Sequence, residues 1–339
     1  MIEEAMLLAP VVIVAEACDR GKEREENQDA VRHAMLPLGE LLLVADGVGG
    51  YSGGATASRM VVECFLECLG TLPSDYPADQ AIREASAHAN ASINAAANAP
   101  GSPYSRMGST VVMALLSQNP SQGPSSQAAA GSEATEIRAW IGHVGDSRAY
   151  LMRDGRLTRI TNDHSAVQSL LNRNLITPEQ AQNHPDASVL TRSLGHRPEV
   201  EIDIEMVSLA VGDSLLLCSD GLWGYVPEPE LERVMADPNL TEPAAAAALV
   251  DLALAAGGHD NIGLEIARVS LPPASAQPAE PEPARKGRGG LFFTIAVLIL
   301  AALGAFAWAY LTHRLPGFLV CLRASPFLLS VLEGDSLKA

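Results

Sequence analysis

Leu41-Leu42-Leu43-Val44-Ala45-Asp46-Gly47-Val48-Gly49-Gly50 decides how the rest of this chain is read. Five apolar residues in a row, stopped by Asp-Gly and two further glycines, predict a short buried strand running into a tight turn. A carboxylate is thereby delivered to the end of a strand. Beyond it, apolar residues at helical spacing predict helices over 55–69 and 78–97, the second rich enough in alanine to lie flat on a sheet. Strands are expected at 110–116, 137–144, 201–209, 214–218 and 261–269, and a helix at 244–256. Residues 149–153 and 156–160 flank Asp154-Gly155, a pair suited to a primed hairpin turn. Strands joined this way, with helices grouped in blocks, argue for α+β layers and against a doubly wound sheet.

Composition narrows the function. The chain has 339 residues, 47% of them hydrophobic, and a formal net charge of −17. A sizeable core follows, and an unaided nucleic-acid binder is excluded, because phosphate contacts need clustered Lys and Arg. A phosphate-bearing substrate is not excluded, since bound divalent cations reverse the field locally. Five cysteines, odd in number and irregularly spaced, read as packed, reduced thiols rather than a disulfide framework or a zinc site. Glu3 and Glu4 stand where a signal peptide would carry positive charge, ahead of the apolar run at 7–15.

The organisation is a main domain over 1–270 with a Ser/Gln/Ala/Gly/Pro-rich flexible insertion at 117–135. A Pro/Ala/Glu-rich linker with a basic flank, Arg285, Lys286 and Arg288, spans 271–290. Residues 291–311 then run for 21 positions without a charge, long enough for a single transmembrane helix, and leave a short tail at 312–339. Trp308 and Tyr310 suit an interfacial belt, and the basic flank places the main domain in the cytoplasm. The expected location is the inner (cytoplasmic) membrane, crossed once.

Four segments end a strand or turn with Asp beside glycine or a small polar residue: 27–29, 46–47, 220–221 and 260–261. Asp154-Gly155 is locally identical and reads as a turn, as does Asp213. Carboxylates brought from distant strand ends can hold hard divalent cations, which take oxygen ligands. Two such ions bind a phosphoryl group and activate water. On spacing alone, ordinary acidic strand ends and a metal centre both remain open. Arg24 is open likewise, as a phosphate clamp or as a surface ion pair with Glu25 or Glu26.

The motifs decide between these readings. Asp19-Arg20-Gly21-x-x-Arg24-x-x-Asn27-Gln28-Asp29, Asp46-Gly47-Val48-Gly49-Gly50, Gly145-Asp146-Ser147-Arg148-Ala149-Tyr150, Ser219-Asp220-Gly221-Leu222-Trp223 and His259-Asp260-Asn261-Ile262 follow in order. Together, over roughly residues 11–270, they resemble the metal-dependent type 2C (PPM-type) serine/threonine protein phosphatases of bacterial type. The resemblance implies an α+β fold, a four-layer α/β/β/α sandwich of two antiparallel sheets flanked by helices. It implies two Mn²⁺ or Mg²⁺ ions bridged by Asp46, with the carbonyl of Gly47, Asp220 and Asp260 completing the site and Asp29 holding metal or its water. Asp146, with Asp220, resembles the ligand of a third, weaker ion. Arg24 resembles the phosphate clamp.

The implied activity is hydrolysis of phosphoserine and phosphothreonine in proteins by metal-activated water. Its partners would be phosphoproteins, a cognate Ser/Thr kinase whose work it reverses, and the membrane through 291–311. Two positions depart from the family pattern. Val48 stands where eukaryotic members often carry a proton-donating His, leaving that proton to water at the metals or another group. Gln28 stands where Glu is frequent. His164, in a segment that in relatives leads into a flap at about 165–193, is read either as a substrate-side group or as a structural hydrogen-bonding one. A membrane-tethered pseudophosphatase, binding phosphoproteins without turnover, is the alternative; it would have lost an aspartate from the core set, and none of Asp46, Asp220 and Asp260 is missing.

Overall fold

The computed structural model describes residues 9–49, 53–104, 106–118, 137–182 and 184–272. Most of the expected insertion, nearly all of the expected linker, the 291–311 segment and the tail lie outside the described residues. Within them the strands are β1 (Val11–Asp19), β2 (Asp29–Leu36), β3 (Gly39–Val48), β4 (Gly108–Ser109), β5 (Val111–Ser117), β6 (Ile137–Val144), β7 (Arg148–Arg153), β8 (Arg156–Arg159), β9 (Asp203–Leu209), β10 (Ser214–Cys218) and β11 (Ile262–Ser270). The helices are α1 (Gly53–Gly70), α2 (Ala78–Asn98), α3 (Ala166–Asn172), α4 (Pro178–Gln182), α5 (Asp220–Trp223), α6 (Glu228–Met235) and α7 (Glu242–Ala255).

Two antiparallel sheets form, ordered β1-β11-β10-β7-β8 and β2-β3-β5-β6-β9, with β4 paired to β3. The apolar run that opened the reading is the middle of β3, flanked by β2 and β5 and wholly buried from Leu41 to Ala45. Its alternation splits the residues between two layers. Leu41, Leu43 and Ala45 pack with Phe65, Ile82 and Ile93 of α1 and α2, while Leu42 and Val44 meet Leu215, Leu217 and Ala267 of the opposite sheet. On the far side of that sheet, Leu216, Leu264 and Ile266 pack against Leu231 of α6 and Leu249 of α7. Each sheet is therefore apolar on both faces, which explains why these strands read as runs rather than as alternations.

The hairpin forms as expected: Asp154 and Gly155 both take positive φ, at 53° and 75°, as a primed turn requires. From Val11 onward the earliest apolar run belongs to an edge strand, β1, paired along its length with β11. The cysteines Cys18, Cys64, Cys68 and Cys218 are free thiols, but only Cys64 and Cys218 are packed as expected; Cys68 is half-buried and Cys18 is exposed. Among the described residues, no helix is long and apolar enough to cross a membrane.

Candidate metal centre

Strand pairing does much of the assembly. Asp29 opens β2 in direct register with Asp46 at the end of β3, so antiparallel pairing alone juxtaposes two carboxylates. Asp46 is pinned by the junction of β4 and β5: its N–H donates to Thr110 Oγ1 at 3.1 Å, and its carbonyl accepts from Thr110 N–H at 2.8 Å and Ser109 Oγ at 3.0 Å. Gly47 then passes so close to the carbonyl of Gly54, at the start of α1, that a Cβ there would collide with it. Only glycine allows this crossing of strand end and helix start.

The opposite sheet supplies two further acids. Asp220 begins α5 where β10 ends, and Asp260 precedes β11. Ser219 ties the sheets together: its hydroxyl donates to Asp29 Oδ2 at 2.6 Å and accepts from Gly263 N–H at 2.9 Å. Asn261, almost fully buried, fastens the loop before β2. Its Oδ1 accepts from Gln28 N–H at 2.8 Å, and its Nδ2 donates to the carbonyls of Arg20 at 2.8 Å and Glu26 at 3.1 Å. Arg24 rides on that loop, half exposed, with Nη2 2.6 Å from Asp260 Oδ2. The ion pair with Glu25 or Glu26 left open by the sequence is not the one formed.

Asp146 lies in the β6–β7 turn, its carbonyl accepting from Trp223 Nε1 at 3.0 Å. Arg148 stacks on the Trp223 ring at 3.4 Å and clamps Asp163 through Nη2 at 2.7 Å, locking that turn to the segment after β8. Gly145 has φ 105°, which an L side chain resists.

Electrostatics show the five acids acting on one another. Burial raises the Asp46 carboxyl well above the usual range, and Asp220, Asp29, Asp146 and Asp260 all push it further. Burial lifts Asp29 to about 7 against the opposing Ser219 bond, with Asp220 and Asp260 adding to the rise. Burial, Asp220 and Asp163 carry Asp146 to about 8, and burial with Asp260 brings Asp220 to about 6. Arg24 is raised as well, which for a guanidinium favours the charged form: against the cost of burial, its bond to Asp260 and the charges of Asp220 and Asp46 hold it more firmly protonated. Hard oxygens crowded in this way, with Arg24 as a cation bonded at their rim, are short of positive charge. Divalent cations suit such a donor set.

The other four acids expected at a metal all act on Asp46, and the two aspartates read as turns are not among the groups that do. Asp213 does more than turn the chain, however. It is buried, caps Ala210 N–H at 2.8 Å and pairs with Arg153 Nη2 at 2.6 Å. His164 is 6% exposed, with both ring nitrogens in hydrogen bonds, an arrangement that favours its structural reading over a substrate-side one. Ser219, Asn261, Thr110, Asp163 and the hydrogen bond of Trp223 were not anticipated as site-builders. Ser219, Asn261 and Trp223 stood within quoted motifs, which was the one available signal. A cavity of about 480 Å³ borders Val48 and is lined by Arg192, Ser193, His196 and Arg197.

The family profile described as Protein phosphatase 2C matches residues 20–251. "Serine/threonine protein phosphatase PstP" of Mycobacterium tuberculosis is 36% identical over 260 residues, which are 76% of this chain and 45% of that protein. The chain thus spans about half the length of the mycobacterial relative. "Serine/threonine phosphatase stp" of Listeria monocytogenes is 32% identical over 247 residues, 72% of this chain and 90% of the relative. Among solved structures, the catalytic domain of PstP in complex with two manganese ions superimposes with a TM-score of 0.63 at 33% identity, covering 77% of this chain and all of that one. Stp1 from Staphylococcus aureus gives 0.66 at 28% identity, over 79% and 99% of the two chains.

Proposed function

The chain belongs to the protein phosphatase 2C family, and from that premise we propose that it hydrolyses phosphoserine and phosphothreonine in proteins, using two Mn²⁺ or Mg²⁺ ions and a third, weaker one. The observation that carries this reading is the gathering of Asp29, Asp46, Asp146, Asp220 and Asp260 from both sheets into one mutually repelling set, with Arg24 at its rim.

Asp46, the Gly47 carbonyl, Asp220 and Asp260 would hold the two principal ions, Asp29 would hold metal or its water, and Asp146 with Asp220 the third ion. When bound, such ions neutralise the phosphoryl oxygens and acidify a water for attack on phosphorus. Arg24 then offers a fork of N–H donors to those oxygens and stays charged throughout. Its bond to Asp260 keeps it aimed at the cluster before substrate arrives. Ser219 and Asn261 hold the carboxylates and the Arg24 loop in place, so little reorganisation is left for the reacting complex. Val48 has no proton to give, so the leaving oxygen takes one from water or another group.

The purified full chain should release phosphate from a phosphothreonine peptide and a small aryl phosphate with Mn²⁺, and lose turnover when the ion is chelated. A folded chain that binds the peptide yet shows no Mn²⁺-dependent turnover would be the pseudophosphatase instead.

Residues 1–270 are proposed as the catalytic domain, followed by the 271–290 linker, a single membrane-spanning helix at 291–311 and a short tail at 312–339. The uncharged 291–311 run and its basic flank support this, and would hold the catalytic domain on the cytoplasmic side of the inner membrane. A cytoplasmic Ser/Thr kinase is the partner such a placement favours. Protease added outside intact cells should leave the catalytic domain whole; cleavage within it would reverse the orientation.

A further inference from the structure

His164 grips one residue twice. Its backbone N–H donates to the carbonyl of Gly145 at 2.8 Å, and its ring Nδ1 accepts from the N–H of the same Gly145 at 3.1 Å. Because Nδ1 must hold a lone pair to accept, the ring proton sits on Nε2. That nitrogen lies 3.1 Å from Asp203 Oδ2, which accepts the proton's hydrogen bond, and 3.2 Å from Arg192 Nη1, which only donates and so finds its acceptor on Asp203 while Gly145 N–H holds Nδ1 as the ring's acceptor. Asp203 is held in turn by Arg192, whose Nη1 is 2.6 Å from Oδ1. The His143 ring stacks on His164 at 4.5 Å, and its own Nε2 lies 3.0 Å from the Asn162 carbonyl.

His143, His164 and Asp203 are close enough together to suggest a cation site. Hydrogen-bond polarity opposes it. A metal on His164 Nε2 would force the proton onto Nδ1, against the Gly145 N–H, and would compete with the Arg192 guanidinium already on Asp203.

The same residue also stands at the root of the 165–193 segment. Thr191 N–H donates to the His164 carbonyl at 2.8 Å, Ala166 N–H to the Val189 carbonyl at 2.8 Å, and Ser165 bridges to Leu190. Arg192 closes the segment's far end onto Asp203. The chain from Arg192 through Asp203 and His164 to Gly145 is therefore continuous, and it ends one peptide bond from Asp146.

We propose that His164 is a positioning residue: Gly145 N–H and Asp203 fix its tautomer, Arg192 holds Asp203 in place, and its Nδ1 sets the Gly145 turn that aims Asp146 and couples that turn to the 165–193 segment. This rests on the proposed phosphatase reading, in which Asp146 holds the third ion.

Asparagine and glutamine separate this role from simple packing. The Oδ1 of asparagine falls where Nδ1 was and can still accept from Gly145 N–H. Glutamine fills more of the imidazole volume and can reach Asp203, but leaves that N–H unpaired. Full-length His164→Gln should lower kcat on a phosphothreonine peptide about tenfold with KM within about twofold, the scale of lost supporting contacts at metal sites. Titration calorimetry with Mn²⁺ should find its weakest ion bound about tenfold less tightly. His164→Asn should stay within about threefold of the parent in both. If glutamine matches or exceeds asparagine, the role is packing; if the loss falls in KM, His164 is a substrate contact; either result overturns the proposal. Should these variants misfold by circular dichroism, Asp203→Ala, at the exposed end of the chain, should move kcat and the Mn²⁺ isotherm in the same direction, and no change in either would also overturn it. A parent chain without Mn²⁺-dependent turnover would fail the phosphatase reading; an active parent with the order of the two variants reversed would fail only this one.

Discussion

Asp46→Asn should abolish turnover, by about a thousandfold or more in kcat/KM, and at the same time should make the metal-free protein more stable. The first effect follows from position. Asp46 is the carboxylate on which the charges of the other four acids converge, so it is the anion best placed to bridge two ions. An amide has the same shape but no charge, and losing several kcal/mol of charge stabilisation corresponds to about three powers of ten in rate.

The second effect has the opposite sign for a reason visible without metal. Burial and mutual repulsion raise Asp220 to about 6, Asp29 to about 7 and Asp146 to about 8. Folded-state values above the unfolded ones mean that the folded chain binds more protons. Their contribution to the stability of the chelated protein is therefore complete below about pH 4, and is lost as pH rises toward 8. Removing the central charge relieves part of that loss. Added Mn²⁺ should raise the melting temperature of the parent strongly at pH 8, and that of the Asp46→Asn variant much less. A variant with parental turnover, or one whose chelated form melts lower while its Mn²⁺ shift is intact, would sink the bridging role.

Much of this centre was legible because it is local. Asp46-Gly47, Asp220-Gly221 and Asp260-Asn261 each sit at a strand end, and the strand end is what the apolar runs at 41–45 and 214–218 mark. What was not legible is the set of contacts between segments far apart in sequence. Ser219 reaches Asp29 across 190 positions and Asn261 reaches Arg20 across 241. Neither residue type carries a periodicity that would single it out. β1 and β2 were missed for another physical reason: they lie at sheet edges, where exposed polar residues interrupt the pattern. Asp154 and Asp213 share local chemistry with the site acids and are excluded from it only by the fold, one in a hairpin turn and the other salt-bridged to Arg153.

Glu265 is the clearest case in which local pattern misleads, and it sets the second large effect. Ile262, Leu264 and Ile266 point one way along β11, so alternation puts Glu265 on the face that a half-buried strand would show to water. Here that face is covered by the other sheet. Glu265 is 0% exposed, neighbours Ala267 of the inter-sheet core along the strand, and finds no hydrogen-bond partner for either carboxyl oxygen. The backbone amides of Leu43 and Arg32 soften its isolation without satisfying it, while Glu16 and Glu40 add repulsion. Burial first, then these neighbours, pushes the carboxyl up to about 9.

The folded chain thus keeps a proton that the unfolded chain loses near pH 4.5. Stability is present in full below the unfolded value and drains away as pH climbs to the folded one, at about 1.4 kcal/mol per pH unit, or about 3 kcal/mol by pH 7. Glu265→Leu should remove this loss, raising the melting temperature at pH 7 by roughly 5–10 °C, with a gain that grows from pH 5 to pH 9. Glu265→Gln should flatten the same pH dependence while still carrying the cost of a buried polar group. Measuring each variant against the parent in saturating Mn²⁺ cancels the titration of the site acids, which are common to all three. A gain independent of pH would mean that Glu265 is ionised or solvated in the folded protein, and a loss of stability in the leucine variant would mean that the carboxyl has a partner between the sheets.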